Sequence, residues 1–322
     1  MDARRAERER PCASLDHPQF VIVTVEKFAV TRNDRMLDYS ASTHVAVIGC
    51  GTLGSQIAFT LAACGGHAVR IFDVNPDAFS QAERQIHDWI KAIANQGGET
   101  IDESSVAKLM VPASSVADAL KDAELVIEAI PENLDMKRRL FSQMSAITEN
   151  AILATNSSSL RSRYLADVTA RPERVLNAHF YLEPWRRRAV ELMSCGQTDE
   201  AVMLRTAEIL RAAKLEPISL RHESTGLLFN RIWRSVKREC LRVIAEDIGK
   251  PEEIDQMWRM NFGTAVGPCQ IMDIIGLDVV LAIEQTYAAE SKDPRDIPPA
   301  FLEEWVNSGR LGKKTGRGFY SY

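Results

Sequence analysis

Apolar and polar positions alternate in blocks along the middle of the chain. Residues 45–48, 125–127 and 152–154 form short, uninterrupted apolar runs, which is the pattern of strands buried on both faces. Between such runs, segments such as residues 135–147 place apolar residues at helical spacing. Strands that alternate with helices in this way predict the α/β class, with a doubly wound and mostly parallel sheet.

The alternation stops at about residue 222, and only helical patterns follow. We therefore predict an N-terminal extension over residues 1–43, an α/β domain over residues 44–222 and an all-helical C-terminal domain over residues 223–322. Further strands are expected at residues 69–72, 175–179, 189–193 and 217–220. Further helices are expected at residues 78–93, 103–110, 200–214, 227–248, 252–261, 270–289 and 299–307.

A glycine-rich turn follows the first apolar run. Residues 49–54 read Gly-Cys-Gly-Thr-Leu-Gly, the G-x-G-x-x-G pattern, and a second strand then ends at Asp73. Gly49 permits the tight turn, Gly51 lets backbone N–H groups approach a pyrophosphate, and Gly54 lets the helix pack closely on the strand. A carboxylate at Asp73 can bind the ribose hydroxyls and repels a 2′-phosphate, so the expected dinucleotide is NAD. The predicted cofactor contacts in this unit are Gly49, Gly51, Thr52, Leu53, Gly54 and Asp73.

The composition of the chain argues against some classes of binding partner. The chain has 322 residues, 45% of them hydrophobic, and a formal net charge of −5, which gives no electrostatic basis for binding nucleic acid or an anionic membrane. No apolar run reaches the roughly 18 residues of a membrane span. A chain of this length needs no disulfides, and its cysteines have no C-x-x-C spacing, so we expect a reducing, cytoplasmic setting and no metal site. The cysteines are Cys12, Cys50, Cys64, Cys195, Cys240 and Cys269.

The N-terminal extension carries charges of both signs. Four arginines among its first ten residues suggest an organelle presequence, but three acidic residues are interleaved with them, and such peptides are normally poor in acid. Residues 20–25 have the composition of a strand. We expect residues 1–43 to form a solvated extension outside the two domains.

Several longer segments resemble the 3-hydroxyacyl-CoA dehydrogenases. These segments are GCGTLGSQIA from residue 49, VIEAIPENLDMKRRLF from residue 126, ATNSSSL from residue 154, AHFY from residue 178, VELM from residue 190, STGLLFNRI from residue 224, GPCQIMDIIGLD from residue 267 and LGKKTGRGFYSY from residue 311. They occur in the family's order. The resemblance implies a Rossmann-type NAD-binding domain followed by a helical domain that takes part in substrate binding and forms a homodimer. It also implies NAD-dependent interconversion of a 3-hydroxyacyl compound, by default a CoA thioester, and its 3-keto form.

The same resemblance assigns roles to single residues. His179 is similar to the family's catalytic base, which removes the hydroxyl proton as hydride leaves for the nicotinamide, and Glu191 to the carboxylate that orients this imidazole. Ser158 and Asn230 resemble the contacts to the substrate hydroxyl and carbonyl. The chemistry is reasonable, because histidine titrates near neutrality and a carboxylate on its other nitrogen fixes the tautomer. The resemblance further implies cofactor contacts at Glu132, Lys137 and Lys314.

Each of these residues also has a structural alternative. His179 could be a hydrogen-bonded core histidine, and the serines at 157–159 could cap the helix that follows. Asn230 and Lys314 could be solvated surface groups. Glu191 is harder to explain in this way, because a carboxylate in an apolar strand is rarely buried without a partner.

Two stretches depart from the family pattern. The family usually reads Asn-Pro after the aromatic pair that follows its histidine, and that asparagine approaches the nicotinamide, whereas residues 182–185 read Leu-Glu-Pro-Trp. The family's helical insertion is often lysine-rich where it meets the phosphates of CoA, but residues 76–112 hold three basic residues against six acidic ones. Trp89 and Gln96 fall roughly where the family's polar and lysine contacts are expected.

Three functions are therefore considered. The first is an NAD-dependent dehydrogenase of 3-hydroxyacyl-CoA. The second is the same chemistry on a free 3-hydroxy acid or specialised metabolite, as in relatives that resemble gulonate dehydrogenases and lens crystallins; the arginines at 186–188 could then hold a carboxylate, although a charge run is more often a solvated face. The third is a crystallin-like, non-catalytic nucleotide-binding protein, against which Ser158, His179 and Glu191 argue together.

Overall fold

A computed structural model describes residues 43–98 and 100–322 of the chain. The predicted extension over residues 1–43, including the strand-like residues 20–25, lies almost wholly outside the described residues. Within the described part, every helix is too short or too polar to cross a lipid bilayer.

An eight-stranded sheet forms the first part of the described structure. Its strands are β1 His44–Ile48, β2 Ala68–Phe72, β3 Met110–Pro112, β4 Leu125–Glu128, β5 Ile152–Thr155, β6 Val175–His179, β7 Ala189–Ser194 and β8 Glu216–Ser219. They lie in the order β3-β2-β1-β4-β5-β6-β7-β8, and all neighbours are parallel except β6 and β7. The prediction of a doubly wound, mostly parallel sheet is confirmed. Ligands of such sheets bind outside the carboxyl ends of the strands.

Helices cover the sheet and make up the second part. They are α1 Thr52–Gly65, α2 Ala78–Glu83, α3 Ile86–Ala94, α4 Glu103–Leu109, α5 Val116–Leu120, α6 Leu134–Ile147, α7 Arg163–Ala166, α8 Pro184–Arg187, α9 Glu200–Ala212, α10 Phe229–Ala245, α11 Pro251–Phe262, α12 Pro268–Ile275, α13 Leu277–Ser291 and α14 Ala300–Asn307. Short 3₁₀ turns occupy Pro172–Arg174, Pro294–Asp296 and Lys313–Thr315. After β8 the described chain is helical, which confirms the all-helical second part.

The apolar side chains of β1 pack into two different buried clusters. Val45 and Val47 pack into one buried cluster, and Ala46 and Ile48 pack into another. Successive side chains of a strand point to opposite faces, so a strand covered by helices on both sides needs an uninterrupted apolar sequence. A third buried cluster, which includes Met272 and Leu277, lies within the helical part.

Three predicted elements differ from the structure. The single helix expected over residues 270–289 is two helices, α12 and α13, because Gly276 between them has a φ of 104°. The helix expected over residues 78–93 is likewise divided into α2 and α3. Residues 103–110 were expected to be wholly helical, but Met110 begins the edge strand β3, whose pairing with β2 comes from the sheet rather than from local spacing.

Candidate active site

The glycine-rich turn has the geometry that a dinucleotide requires. Gly49 has a φ of 108°, and a Cβ there would lie 2.6 Å from the Ala129 carbonyl oxygen. A Cβ at Gly54 would lie 2.0 Å from the Gly49 carbonyl oxygen, so both positions exclude larger residues. A Cβ at Gly51, by contrast, would meet nothing within 4 Å. Gly51 immediately precedes α1, so the open space lies at the positive end of a helix, which suits a pyrophosphate.

Asp73 connects this turn to the second strand. Its Oδ2 accepts a 2.7 Å hydrogen bond from the Cys50 backbone N–H, and its Oδ1 accepts a 2.8 Å bond from the Asn75 backbone N–H. Each carboxylate oxygen still has a lone pair free for a ribose hydroxyl. Gly49, Gly51 and Asp73 border a cavity of about 650 Å³ at the carboxyl ends of β1 and β2. The residues present therefore fit a dinucleotide, with Asp73 at the ribose and the turn at the phosphates.

His179 and Glu191 face each other across two antiparallel strands. They are direct partners in the β6–β7 register, and His179 Nδ1 lies 3.0 Å from Glu191 Oε2. His179 is 6% exposed and Glu191 is 2% exposed. The antiparallel pairing thus brings together two residues that are separated by a loop in sequence.

Glu191 receives three further hydrogen bonds. Tyr181 Oη donates to its Oε2 at 2.5 Å, and the backbone N–H groups of Leu228 and Phe229 donate to its Oε1 at 2.7 and 2.9 Å. Burial alone would raise the pKa of Glu191, but these bonds and the one from His179 outweigh it and lower the pKa to about 2. Glu191 is therefore ionised at neutral pH and also fixes the start of α10 against the sheet.

Ser158 and Asn230 lie on segments that are tied to this pair. Asn156 Oδ1 accepts a 2.8 Å hydrogen bond from the Phe180 backbone N–H, which joins the loop after β5 to the residue after His179. Ser158 is half-buried in that loop. Asn230 is half-buried in the first turn of α10, directly after the two N–H groups that bind Glu191. The predicted catalytic and substrate residues thus occupy connected segments at one edge of the sheet.

A second polar network lies at the ends of β4 and β5. Lys137 is only 1% exposed; its Nζ lies 2.6 Å from Glu128 Oε1, 3.1 Å from the Ile130 carbonyl oxygen and 3.4 Å from Glu132 Oε2. Ser157 and Ser159 donate hydrogen bonds to Glu132. Burial raises the pKa of Glu128. Burial also acts to raise the pKa of Glu132, but the hydrogen bonds from Ser157 and Ser159 outweigh it, so the pKa of Glu132 is lowered. Glu132 is accessible to a ligand, whereas the Lys137 ammonium faces the protein interior.

Comparison with known families decides the identity of this arrangement. The sequence profile described as the NAD binding domain of 3-hydroxyacyl-CoA dehydrogenase matches residues 44–224, and the profile of that enzyme's C-terminal domain matches residues 226–322. The chain belongs to the 3-hydroxyacyl-CoA dehydrogenase family. It is accordingly an NAD-dependent oxidoreductase that acts on CH–OH groups, and NAD is its cofactor.

Individual relatives agree with the family profiles. The chain is 33% identical over 281 residues to 3-hydroxyadipyl-CoA dehydrogenase of Escherichia coli, covering 86% of this chain and 58% of that longer protein. It is 32% identical over 279 residues to a probable 3-hydroxybutyryl-CoA dehydrogenase of Bacillus subtilis, covering 86% of this chain and 96% of the relative. The crystal structure of (S)-3-hydroxybutyryl-CoA dehydrogenase from Ralstonia eutropha superposes with a TM-score of 0.81 at 31% identity, covering 88% of this chain and 99% of that one.

The departures from the family sequence have structural explanations. Trp89, which falls where a polar contact was expected, is 7% exposed and packs against Phe59 and Trp185 with ring centroids 5.1 and 5.8 Å apart. Trp185 belongs to the loop that replaces the family's Asn-Pro, so the aromatic cluster anchors this loop on α1 and α3. Gln96 is exposed. Trp89 is thus a core residue.

Lys314 lies in the helical part. Its Nζ is 2.7 Å from Asp278 Oδ2, at the start of α13. Among the hydrogen bonds and ion pairs of residues 43–98 and 100–322, none joins Lys314 to the glycine-rich turn or to Asp73. A cofactor contact from Lys314 stays a prediction.

Two residues of the site, the buried Asn177 and the half-buried Tyr181, were missed from the sequence. Asn177 accepts a 2.8 Å hydrogen bond from the Ser162 N–H and donates a 3.0 Å bond to the Leu160 carbonyl, so it holds the loop that carries Ser158. Tyr181 was regarded only as part of an aromatic pair. A strand has a period of two, so Asn177 and His179 share one side of β6, and this spacing is a pattern that could have indicated Asn177.

Proposed function

We propose that His179 and Glu191 form the catalytic pair of a 3-hydroxyacyl dehydrogenase, with His179 as the general base. The observation that supports this most directly is the 3.0 Å contact between His179 Nδ1 and Glu191 Oε2 in a buried setting. A proton on Nδ1 leaves Nε2 unprotonated and able to accept the proton of the substrate hydroxyl. Glu191, ionised and held by four donors, then stabilises the imidazolium that forms.

The cofactor and the remaining residues complete the proposal. The glycine-rich turn and Asp73 would hold NAD, which would supply the acceptor for the hydride of the substrate carbon. We propose that Ser158 and Asn230 hold the substrate hydroxyl and carbonyl oxygens beside His179. We propose that Glu132 contacts the cofactor, and that Lys137 acts through Glu132 by keeping its carboxylate in place. The proposed dinucleotide contacts are Gly49, Gly51, Thr52, Leu53, Gly54, Asp73, Glu132 and Lys314, and Lys137, predicted from the sequence as a contact, instead positions Glu132 from the protein interior.

The proposed substrate is a 3-hydroxyacyl thioester of CoA, in keeping with the names of the relatives from Escherichia coli and Bacillus subtilis. The experiment is a panel in which the purified protein and NAD are offered 3-hydroxybutyryl-CoA and free 3-hydroxybutyrate, with NADH formation followed by absorbance. Turnover of the thioester at far higher kcat/KM supports the proposal. Turnover of the free acid alone establishes the second function considered from the sequence, and NAD binding without any turnover establishes the third.

We propose a homodimer formed through the helical part, with residues 223–322 as a separate domain. Large hydrophobic residues are exposed along this part of the chain, and a dimer interface there would remove them from water. They include Ile248, Met257, Met260, Phe262, Ile274, Val279 and Ile297. Sedimentation velocity tests this proposal, since a monomer at micromolar concentration contradicts it.

A cytoplasmic setting is also proposed. Four cysteines of the described residues, Cys50, Cys195, Cys240 and Cys269, are free thiols, which suits a reducing compartment. Fractionation of cells that produce the protein tests this assignment.

A further inference from the structure

Three consecutive arginines near the catalytic pair have different environments. Arg186 lies 3.2 Å from Glu183, and Arg188 donates to the Lys214 carbonyl at 2.6 Å and to Glu216 at 3.0 Å. The Arg187 guanidinium has no hydrogen-bond or ion-pair partner among residues 43–98 and 100–322. A single member of the arginine run is therefore available for a ligand.

Arg187 lies on a pocket of about 280 Å³ that is also lined by Glu191, the hydrogen-bond partner of His179. Glu191 and Tyr181 form part of the lining, and Ala189, Ile218, Phe229 and Ile232 supply apolar walls. Arg187 and Tyr181 border the same space. The pocket thus adjoins the residues that hold His179 and has one cation at its lining.

Glu191 does not neutralise this cation. Its Oε2 accepts from His179 and Tyr181, and its Oε1 accepts from two backbone N–H groups at the start of α10. These four donors use the favourable positions around both oxygens. Arg187 therefore keeps an unpaired charge, and a carboxylate would satisfy it through a bidentate, charge-assisted contact.

The loop that carries Arg187 is fixed in position. Trp185 packs edge-to-face on Phe59 with ring centroids 5.5 Å apart, and Glu183 N–H donates a 2.8 Å hydrogen bond to Gln56 Oε1. Arg188, with a φ of 50°, ends the short helix α8 and is held by Lys214 and Glu216. A binding group on a rigid support loses less conformational entropy when a ligand binds.

We propose that this pocket receives the acyl chain of a substrate that ends in a carboxylate, and that Arg187 selects this carboxylate. The substrate class is then a 3-hydroxyacyl thioester of a dicarboxylic acid. The inference rests on the proposed dehydrogenase function, which it makes more specific. A free 3-hydroxy acid offers the same chemical group at its other end, so the experiment separates the two sources.

The test compares two thioesters of equal chain length. The chain of 3-hydroxyadipyl-CoA ends in a carboxylate, and that of 3-hydroxyhexanoyl-CoA ends in a methyl group. We expect the wild-type protein to favour the diacid in kcat/KM, and Arg187→Gln to reduce the ratio of the two values by about 10- to 100-fold, since hydrogen bonds to charged groups contribute about 1.5–3 kcal/mol. Arg187→Lys keeps the positive charge but not the planar guanidinium that can bind a carboxylate through two hydrogen bonds, so it should reduce the ratio by a smaller factor.

Arg186→Gln is the matched control, because it removes a neighbouring arginine that pairs with Glu183 outside the pocket, and it should leave the ratio unchanged. The inference is overturned if Arg187→Gln leaves the ratio unchanged, which includes the case in which kcat/KM falls by the same factor for both thioesters. If Arg187→Gln instead reduces turnover of free 3-hydroxybutyrate selectively, the arginine binds the carboxylate of a free acid and the diacid assignment is wrong. If the wild-type protein oxidises neither thioester, the proposed function itself fails.

Discussion

Tyr181 and His179 contact the same carboxylate oxygen, Oε2 of Glu191, at 2.5 and 3.0 Å. Their rings are also in edge-to-face contact, with centroids 4.7 Å apart. Burial, reinforced by the bond to Glu191, raises the pKa of Tyr181, so its phenol stays protonated and donates throughout the neutral range. His179 and Tyr181 therefore compete for the negative charge of one carboxylate. The hydrogen bond from Tyr181 weakens the stabilisation that Glu191 gives to an imidazolium at His179.

Tyr181→Phe should move the pH profile of the reaction. Without the phenol, more of the Glu191 charge acts on His179, so the acidic limb of kcat/KM for hydroxyl oxidation should shift to higher pH. Arg187 is the other charged group near the phenol and is unaltered in this variant. The measurement is kcat/KM from pH 5 to 9. A uniform drop in rate without a shifted limb would show that Tyr181 only packs, and Tyr164→Phe, at a phenol that contacts Arg161, serves as the control.

His179→Ala should remove most turnover and leave NADH affinity nearly intact. General-base catalysis typically contributes about 10²- to 10⁴-fold, and the imidazole lies on β6 rather than at the glycine-rich turn. Steady-state kinetics and an NADH titration by fluorescence check both parts. His87→Ala removes a histidine whose side chain is 60% exposed and should keep the wild-type rate. Wild-type activity in His179→Ala would rule out the assignment of the base.

Glu191→Gln should lower stability as well as rate. An amide has one acceptor oxygen in place of two, so some of the donors from His179, Tyr181, Leu228 and Phe229 lose their acceptor. The folded-state pKa of Glu191 is about 2, below the ordinary value of about 4.3, so its ionised form stabilises the fold fully above pH 4.3 and this contribution disappears as pH falls toward 2. The gap in Tm between wild type and variant should be constant from pH 5 to 8 and shrink in acid. A gap that is independent of pH down to pH 3 contradicts this account.

The wild-type protein should bind NADH more tightly than NADPH, because Asp73 repels a 2′-phosphate and neither Val74 nor Asn75 offers a positive charge to receive it. Asp73→Asn keeps an acceptor for the Cys50 N–H but removes the charge, so it should reduce the preference by roughly 10-fold, about 1.4 kcal/mol. Isothermal titration with both cofactors measures the ratio. Equal affinities in the wild-type protein would refute the role of Asp73.

Removing the remote part of CoA from the thioester substrate should lower kcat/KM only slightly. Residues 76–112 carry three basic side chains against six acidic ones, and Trp89 is buried in the aromatic cluster, so this insertion offers weak attraction for the phosphates of CoA. Replacing a 3-ketoacyl-CoA by its N-acetylcysteamine thioester should lower kcat/KM by less than about 10-fold, roughly 1.4 kcal/mol. A loss on the order of 10³-fold would indicate strong contacts to the remote part of CoA.

The sequence anticipated much of the fold because its patterns are local. The run at residues 45–48 is apolar at every position, and only a strand covered on both faces requires this, so the parallel sheet followed from spacing alone. The glycines at 49 and 54 are likewise fixed by immediate neighbours, since a Cβ at either position would collide with the backbone. The break at Gly276 was missed, because the apolar spacing continues through it from α12 into α13.

The sequence by itself determined the alternation of strands and helices followed by an all-helical part, the glycine-rich turn with Asp73, and the family to which the chain belongs. Only the tertiary structure decided that Tyr181 shares the Glu191 oxygen with His179, that the Lys137 ammonium turns inward to Glu128, and that Arg187 alone among three arginines has no partner in the described chain. The physical reason is the range of the interactions. Strand and helix periodicity is set by adjacent residues, whereas a hydrogen bond or an unpaired charge depends on which distant segments the sheet register and helix packing bring together.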